Sequence, residues 1–378
     1  MTAPRPFVID VAESALDDLR ARLANVRWPD REVVDDWSQG VPLDQVRALV
    51  DHWANRYDWR RCERMLNAFG QYRMDVDGLG IHFIHARSKH VDALPLLITH
   101  GWPGSVIEFH KIIGPLVDPT AHGGRAEDAF HVIAPSLPGY AFSDKPRATG
   151  TGQRQTARLW ITLMRQLGYR SYVAQGGDWG ALVTTELGAL APPELRAIHL
   201  NMQFVIPAPP YGELDAEQQR ALDQMAHYGR SEAGYSTQQA TRPQTLGYGL
   251  ADSPVGQAAW IFEKLQGWSD CDGNALNIFS YDEMLDNIML YWLTNSATSA
   301  ARFYWESYDI VSAQPRIDIP VGCSLFPKEL FNAPRSWADD FYSNIIHWNK
   351  LDKGGHFAAF EQPETFVREL RTCFAQIR

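Results

Sequence analysis

Residues 171–190 read SYVAQGGDWGALVTTELGAL. Tyr172, Val173 and Ala174 form a short apolar run of strand character, and the apolar stretch from Ala181 to Ala189 has the length of a helix. Between them stand glycines at 176, 177 and 180 around Asp178. Glycines there allow a turn tighter than most side chains permit and a close approach of helix to strand. The central side chain is thereby pushed out at the strand's C-terminal end. The pattern is small-x-nucleophile-x-Gly, with a carboxylate where a serine hydroxyl is usual. The same pentapeptide also reads as an aspartate capping an ordinary helix. Its neighbours must separate the two readings.

Outward from this point the chain alternates strand and helix patterns. Strand runs are PLLITH (95–100), FHVIAPSLPG (130–139), AIHLNM (197–202), VGCSLF (321–326) and NIIHWNKLD (344–352). Helical periodicity appears in SVIEFHKIIGPL (105–116), in RQTARLWITLMRQLG (154–168) and from Pro363 to the C-terminus. That alternation predicts a mostly parallel sheet with helices on both faces. YRMDVDGLGIHFIH (72–85) alternates about Asp77-Gly78 and predicts a hairpin. From about 205 to 300 the alternation lapses into helical segments rich in aromatics and broken by Pro and Gly, as expected of a lid inserted late in the sheet. The first 70 residues place Leu16, Leu19 and Leu23, then Val46, Leu49, Val50 and Trp53, at helical spacing. The expected organisation is a helical N-terminal domain (1–70), a first core part (71–204), a helical lid (205–300) and a second core part (301–378).

The chain has 378 residues, 45% hydrophobic and 21% charged, which fits a globular protein longer than one ordinary core. The formal charge is −10 and no Lys/Arg run stands out, so nucleic acid and anionic membrane surfaces are not expected partners. Thirteen Trp and 14 Tyr suit an apolar cavity with a few OH and NH donors. Cys62, Cys271, Cys323 and Cys373 match no metal or redox spacing, and neither a secretory signal nor a bilayer-spanning run is present. The simplest expectation is a reduced, cytoplasmic enzyme without metal or organic cofactor.

Three further motifs bear on Asp178. HGWPGS (100–105) follows an apolar strand and could lend a backbone amide to an oxyanion hole. The donors would be the amides of Trp102 and Trp179. Gly354-Gly355-His356 follows the last strand run and precedes the last helix, where a histidine can act as general base. The order nucleophile, acid, histidine is that of the α/β-hydrolase fold. The acid should follow VGCSLF, which selects Glu329, with Asp339, Asp340 and Asp352 as alternatives. A carboxylate nucleophile suits displacement at a saturated carbon, an epoxide carbon or one bearing halide, and forms an ester that water must then cleave. Opening an epoxide also needs a proton for the departing oxygen. The lid region offers Tyr235, Tyr248, Tyr281, Tyr291, Tyr304 and Tyr308.

With these motifs in hand, the chain resembles the microsomal-type epoxide hydrolases of the α/β-hydrolase fold over essentially its whole length. RLANVRWPD, GVPLDQVRALVDHW and YDWRRCERMLNAFGQY resemble the family's N-terminal domain, while HGWPGS, APSLPGYAFSDKP, AQGGDWG and LDKGGHFAAFEQPE resemble its core motifs. The resemblance implies Asp178 as nucleophile, His356 as water-activating base and Glu329, in FPKEL, as charge-relay acid. It further implies Tyr235 and Tyr304 as proton donors from the two lid-tyrosine regions. The implied partners are an apolar epoxide and water, with a possible homodimer; the membrane anchor of the family's mammalian members is not expected here. Two rival readings are a haloalkane or haloacid dehalogenase using the same Asp and His, and a hydrolase-fold protein that only binds a small molecule.

Overall fold

A computed structural model describes residues 3–207, 209, 211–307 and 315–378. Nine strands form one sheet: β1 (Arg5–Pro6), β2 (Gln71–Val76), β3 (Leu79–Ala86), β4 (Leu94–Thr99), β5 (Phe130–Pro135), β6 (Tyr172–Gly176), β7 (Leu195–Leu200), β8 (Val321–Leu325) and β9 (Ile345–Lys350). Their order is β1-β2-β3-β5-β4-β6-β7-β8-β9. β1, β2, β3 and β5 pair antiparallel, and every pairing from β5 to β9 is parallel. The expected hairpin joins β2 and β3 with Val76 opposite Leu79. Asp77 (φ 53°) and Gly78 (φ 85°) supply the two left-handed residues that such a turn needs.

Strand residues alternate between two apolar clusters, one on each face. Leu97, Ala174 and Ile198 belong to one cluster, whereas Leu96, Ile98, Val173 and Ala197 belong to the other. Helices Gln153–Gln166 and Trp179–Leu190 cover the first face, while His110–Val117 and Pro363–Phe374 cover the second. β4 sends the chain to β5 on one side, yet β6 flanks it on the other. The loops leaving β4 and β6 therefore diverge and open a crevice at the strands' C-terminal ends, where ligands bind in open α/β sheets.

Between β7 and β8 the chain forms helices at Ala216–His227, Gly234–Thr241, Pro243–Asp252, Pro254–Gly267, Tyr281–Thr294 and Ala297–Ser307. The boundary expected at 300 falls inside the last of these, because its apolar positions Ala300, Phe303 and Tyr304 continue one helical period.

The first 70 residues hold three helices, Glu13–Ala24, Leu43–Asn55 and Trp59–Asn67, and also β1, which adds a short edge strand to the sheet. These helices pack on the inserted helices Pro254–Gly267 and Tyr281–Thr294. Polar contacts lock that packing. Arg61 forms an ion pair with the buried Asp286 at 2.6 Å, the Tyr57 hydroxyl donates to the same carboxylate at 2.7 Å, and His52 meets Asp282 at 2.7 Å. Among the described residues no helix is long and apolar enough to cross a membrane. All four cysteines are buried and free.

Candidate active site

Asp178 ends the turn between β6 and the helix Trp179–Leu190, with φ 50° and ψ −128°. A non-glycine residue held there costs about 1–3 kcal/mol, which the surrounding packing must impose. Close approach explains the flanking glycines. A Cβ on Gly180 would collide with the Thr99 carbonyl of β4, and one on Gly101 would collide with the Asp178 carboxylate itself.

Three side chains from three loops converge here. His356 Nε2 lies 3.3 Å from Asp178 Oδ2, and its Nδ1 lies 2.6 Å from Glu329 Oε1. The Leu330 amide donates to the same Glu329 oxygen at 2.8 Å. Burial alone would strip the His356 proton, but the carboxylates of Glu329 and Asp178 on either side outweigh it and hold the imidazole well above its ordinary range. Asp339 and Asp340 lie on the helix Arg335–Phe341, where Asp339 pairs with Arg335, and Asp352 is exposed. None of these three is brought to His356.

The Trp102 amide donates to Asp178 Oδ1 at 2.7 Å, the one backbone donor to this carboxylate among the described residues. Trp179 opens the following helix, and its indole stands edge-on to Tyr304 at 4.6 Å. His100, the first residue of HGWPGS, accepts from the Leu137 amide through Nε2 and so donates to the Gly101 carbonyl through Nδ1. Burial lowers its pKa to about 4, so it serves as a neutral strut for the loop.

The lid presents Tyr235 and Tyr304 above the nucleophile. Their rings meet at 5.8 Å, and Tyr235 lies flat on Trp102 at 4.7 Å. Burial raises both hydroxyls well above their ordinary pKa, Tyr228 and Asp178 adding to the effect on Tyr235, and Tyr235 and Asp178 to that on Tyr304. The other lid tyrosines are engaged elsewhere. Tyr291 donates to the Gly104 carbonyl at 2.7 Å, Tyr281 packs on His52, and Tyr248 is exposed. Tyr308 lies outside the described residues.

Two cavities of unequal size meet at Asp178. The larger, about 400 Å³, is walled by Met202, Phe204, Met225, Leu330 and Phe331, with Tyr235 and Tyr304 at its reacting end. The smaller, about 20 Å³, lies among Gly101, Glu108, Gln175, Asn201 and His356. Asp178 is the one residue common to both walls.

Several neighbours were invisible to sequence reasoning. Tyr228 Oη lies 2.9 Å from Tyr235 Oη. Asn287, on the lid helix Tyr281–Thr294, donates to the Pro103 carbonyl at 2.7 Å and accepts from the Ser105 hydroxyl at 2.9 Å. With Tyr291 it clamps the loop that carries the Trp102 amide. Lys264, only 3% exposed, places its ammonium 4.9 Å over the Tyr235 ring. No sequence spacing links 228, 264 or 287 to the motifs.

The chain as a whole is similar to several known proteins. Residues 4–109 match the family described as "Epoxide hydrolase N terminus", and residues 95–245 match "alpha/beta hydrolase fold". A Stigmatella aurantiaca protein named "Putative epoxide hydrolase" is 59% identical, across 99% of this chain and 85% of its own length. "Epoxide hydrolase 1" of Sus scrofa is 35% identical, across 97% of this chain and 87% of its own. The crystal structure of juvenile hormone epoxide hydrolase from the silkworm Bombyx mori superposes with a TM-score of 0.92 at 30% identity, covering 100% of this chain and 95% of that one.

Proposed function

The chain belongs to the epoxide hydrolase family, and from that premise we propose that it converts an apolar epoxide and water into a vicinal diol through a covalent ester on Asp178. The observation that carries this reading is the position of Asp178, facing an apolar cavity on one side and His356 on the other.

In the first half-reaction Asp178 Oδ2 attacks a ring carbon while Oδ1 stays on the Trp102 amide. The ring C–O bond breaks, its electron pair goes to the oxygen, and Tyr304 or Tyr235 supplies the proton. Hydroxyls with a raised pKa remain protonated at rest and suit that task.

In the second half-reaction a water attacks Cγ of the ester. His356 Nε2 takes one of its protons, and charge gathers on Oδ1, where the Trp102 amide already points. The Cγ–O bond to the alkyl group then breaks, and the diol oxygen takes the proton from His356; the remaining water proton leaves the new Asp178 carboxyl and makes up for the one the tyrosine gave. Ester formation itself prepares the base. It cancels the Asp178 charge that helped to keep His356 protonated, so the imidazole pKa falls when a base is needed.

Single turnover in ¹⁸O-water tests the ester directly. The first diol should be unlabelled and the label should enter the Asp178 carboxylate. Solvent oxygen in the first diol would sink the covalent route. Diol from styrene oxide without halide from a chloroalkane separates this activity from dehalogenation.

A further inference from the structure

We propose that Glu108 holds the water that cleaves the Asp178 ester, inside the small cavity behind the nucleophile; this rests on the covalent reading above. The cavity measures about 20 Å³, and Glu108, His356 and Asp178 all line it. One water needs roughly 10–15 Å³ of such space and two to four polar partners. The volume therefore admits one water and excludes an epoxide carbon skeleton.

Glu108 lies on the turn after HGWPGS, and its carboxylate folds back against the Gly104 backbone. A Cβ on Gly104 would overlap it, so the glycine is what lets the carboxylate reach the cavity. The Ser105 amide donates to the carboxylate and fixes it from behind. A water between the two side chains can place one hydrogen on His356 Nε2 and the other on a Glu108 oxygen. Its lone pair is then aimed at Cγ of Asp178, from the side opposite the large cavity.

The charges around Glu108 set its resting state. Burial, helped by Asp178 and Glu361 and opposed by His356 and the Ser105 amide, brings the carboxyl up to about 8. Glu108 in turn raises the hydroxyl of Tyr291, and His100 faces the same cavity as a neutral ring. At neutral pH the resting carboxyl is therefore largely protonated. Its carbonyl oxygen accepts the second water hydrogen even so, and ionisation makes it a stronger acceptor. Glu108 need not gain or lose a proton in the cycle. One water proton passes to His356 and then to the departing diol oxygen, the other leaves the new Asp178 carboxyl to replace the tyrosine proton, and the water oxygen stays in the Asp178 carboxylate.

The test uses the full chain with Glu108→Gln and Glu108→Leu, mixed with styrene oxide in single turnover and quenched for mass measurement of the Asp178 peptide. Ester should form at the parent rate in both variants. Its decay should slow about 100-fold in Glu108→Leu and about 10-fold in Glu108→Gln, the size of a lost positioned acid–base partner. The pH profile of decay should lose one ionisation in Glu108→Gln. If Glu108→Leu does not fold, the near-isosteric Glu108→Gln decides alone. Decay at the parent rate, or formation slowed as much as decay, overturns the assignment. His356→Gln run alongside separates the two levels: no ester there removes the covalent reading itself, whereas ester there but none building up in the Glu108 variants removes Glu108 alone.

Discussion

Asn287→Ala offers a sharp test of how the lid serves the chemistry. The side chain is 2% exposed and makes two hydrogen bonds to the loop after β4, to the Pro103 carbonyl at 2.7 Å and from Ser105 Oγ at 2.9 Å. Truncation leaves that carbonyl and hydroxyl buried without these partners, and each such group costs about 1–3 kcal/mol. Tyr291 still holds Gly104, so the loop should loosen rather than collapse. The expected loss of stability is about 2–4 kcal/mol, read as a lower urea midpoint with an unchanged m-value. The chemical effect is selective. Pro103 directly follows the residue whose amide reaches Asp178 Oδ1, and a displacement of about 1 Å at such a donor can cost up to about 100-fold. Because that donor matters most when charge gathers on Oδ1, ester decay should slow about 10- to 100-fold while ester formation changes little. Rapid quench and peptide mass measurement resolve the two rates. Equal slowing of both, or a stability loss with normal decay, would refute the idea that the lid positions the amide.

Acid should destabilise this fold through its buried neutral histidines. Burial lowers His82 to about 3, His100 to about 4 and His199 to about 3. The unfolded chain takes protons near pH 6.5 that the native state refuses, so stability falls as pH drops from about 6.5 toward 4, by up to about 2 kcal/mol per histidine at pH 5. Urea midpoints equal at pH 7 and pH 5 would contradict this. Among the tyrosines, Tyr304→Phe and Tyr235→Phe should each slow ester formation by about 100-fold or more and leave decay near normal, whereas Tyr228→Phe, which acts through Tyr235, should slow formation only about 3-fold. Stopped-flow formation rates order the three, and a Tyr228→Phe effect as large as that of Tyr235→Phe would make Tyr228 a donor in its own right.

The parts of the site that sequence could reveal are those written in local backbone chemistry. The glycines around Asp178 and before His356 are forced by turn geometry and close approach, and such constraints survive in the letters themselves. The hairpin at Asp77-Gly78 is legible for the same reason. β1 was not, because two residues, one of them proline, carry no period. Residue chemistry alone does not rank the six lid tyrosines, and the resemblance to the family is what singles out Tyr235 and Tyr304; tertiary packing turns Tyr291 toward the Gly104 carbonyl and leaves Tyr248 in solvent. Glu108 falls within SVIEFHKIIGPL, whose helical period carries no sign of a role for it. Its relation to Asp178 depends on how the loop after β4 folds back. Asn287 and Lys264 are likewise chosen by the docking of lid on core, a contact between segments far apart in the chain. The helical prefix had a clear apolar stripe, but the stripe does not say which surface it covers, and here it covers the lid.

The two unequal cavities that meet at Asp178 have a consequence for the survival of the nucleophile. An alcohol or amine arriving with the substrate enters the apolar chamber, where the ester carbon is covered by the group it has just captured. The chamber of about 20 Å³ on the far side has room for about one water and little more. Competing nucleophiles are thus sieved by size at the second step, however abundant they are at the first. Methanol at Cγ would release the same diol but leave Asp178 as a methyl ester, so in methanol-rich mixtures the nucleophile should stay free of that ester, and tolerance for bulky epoxides can be widened in the large chamber without loosening that restriction.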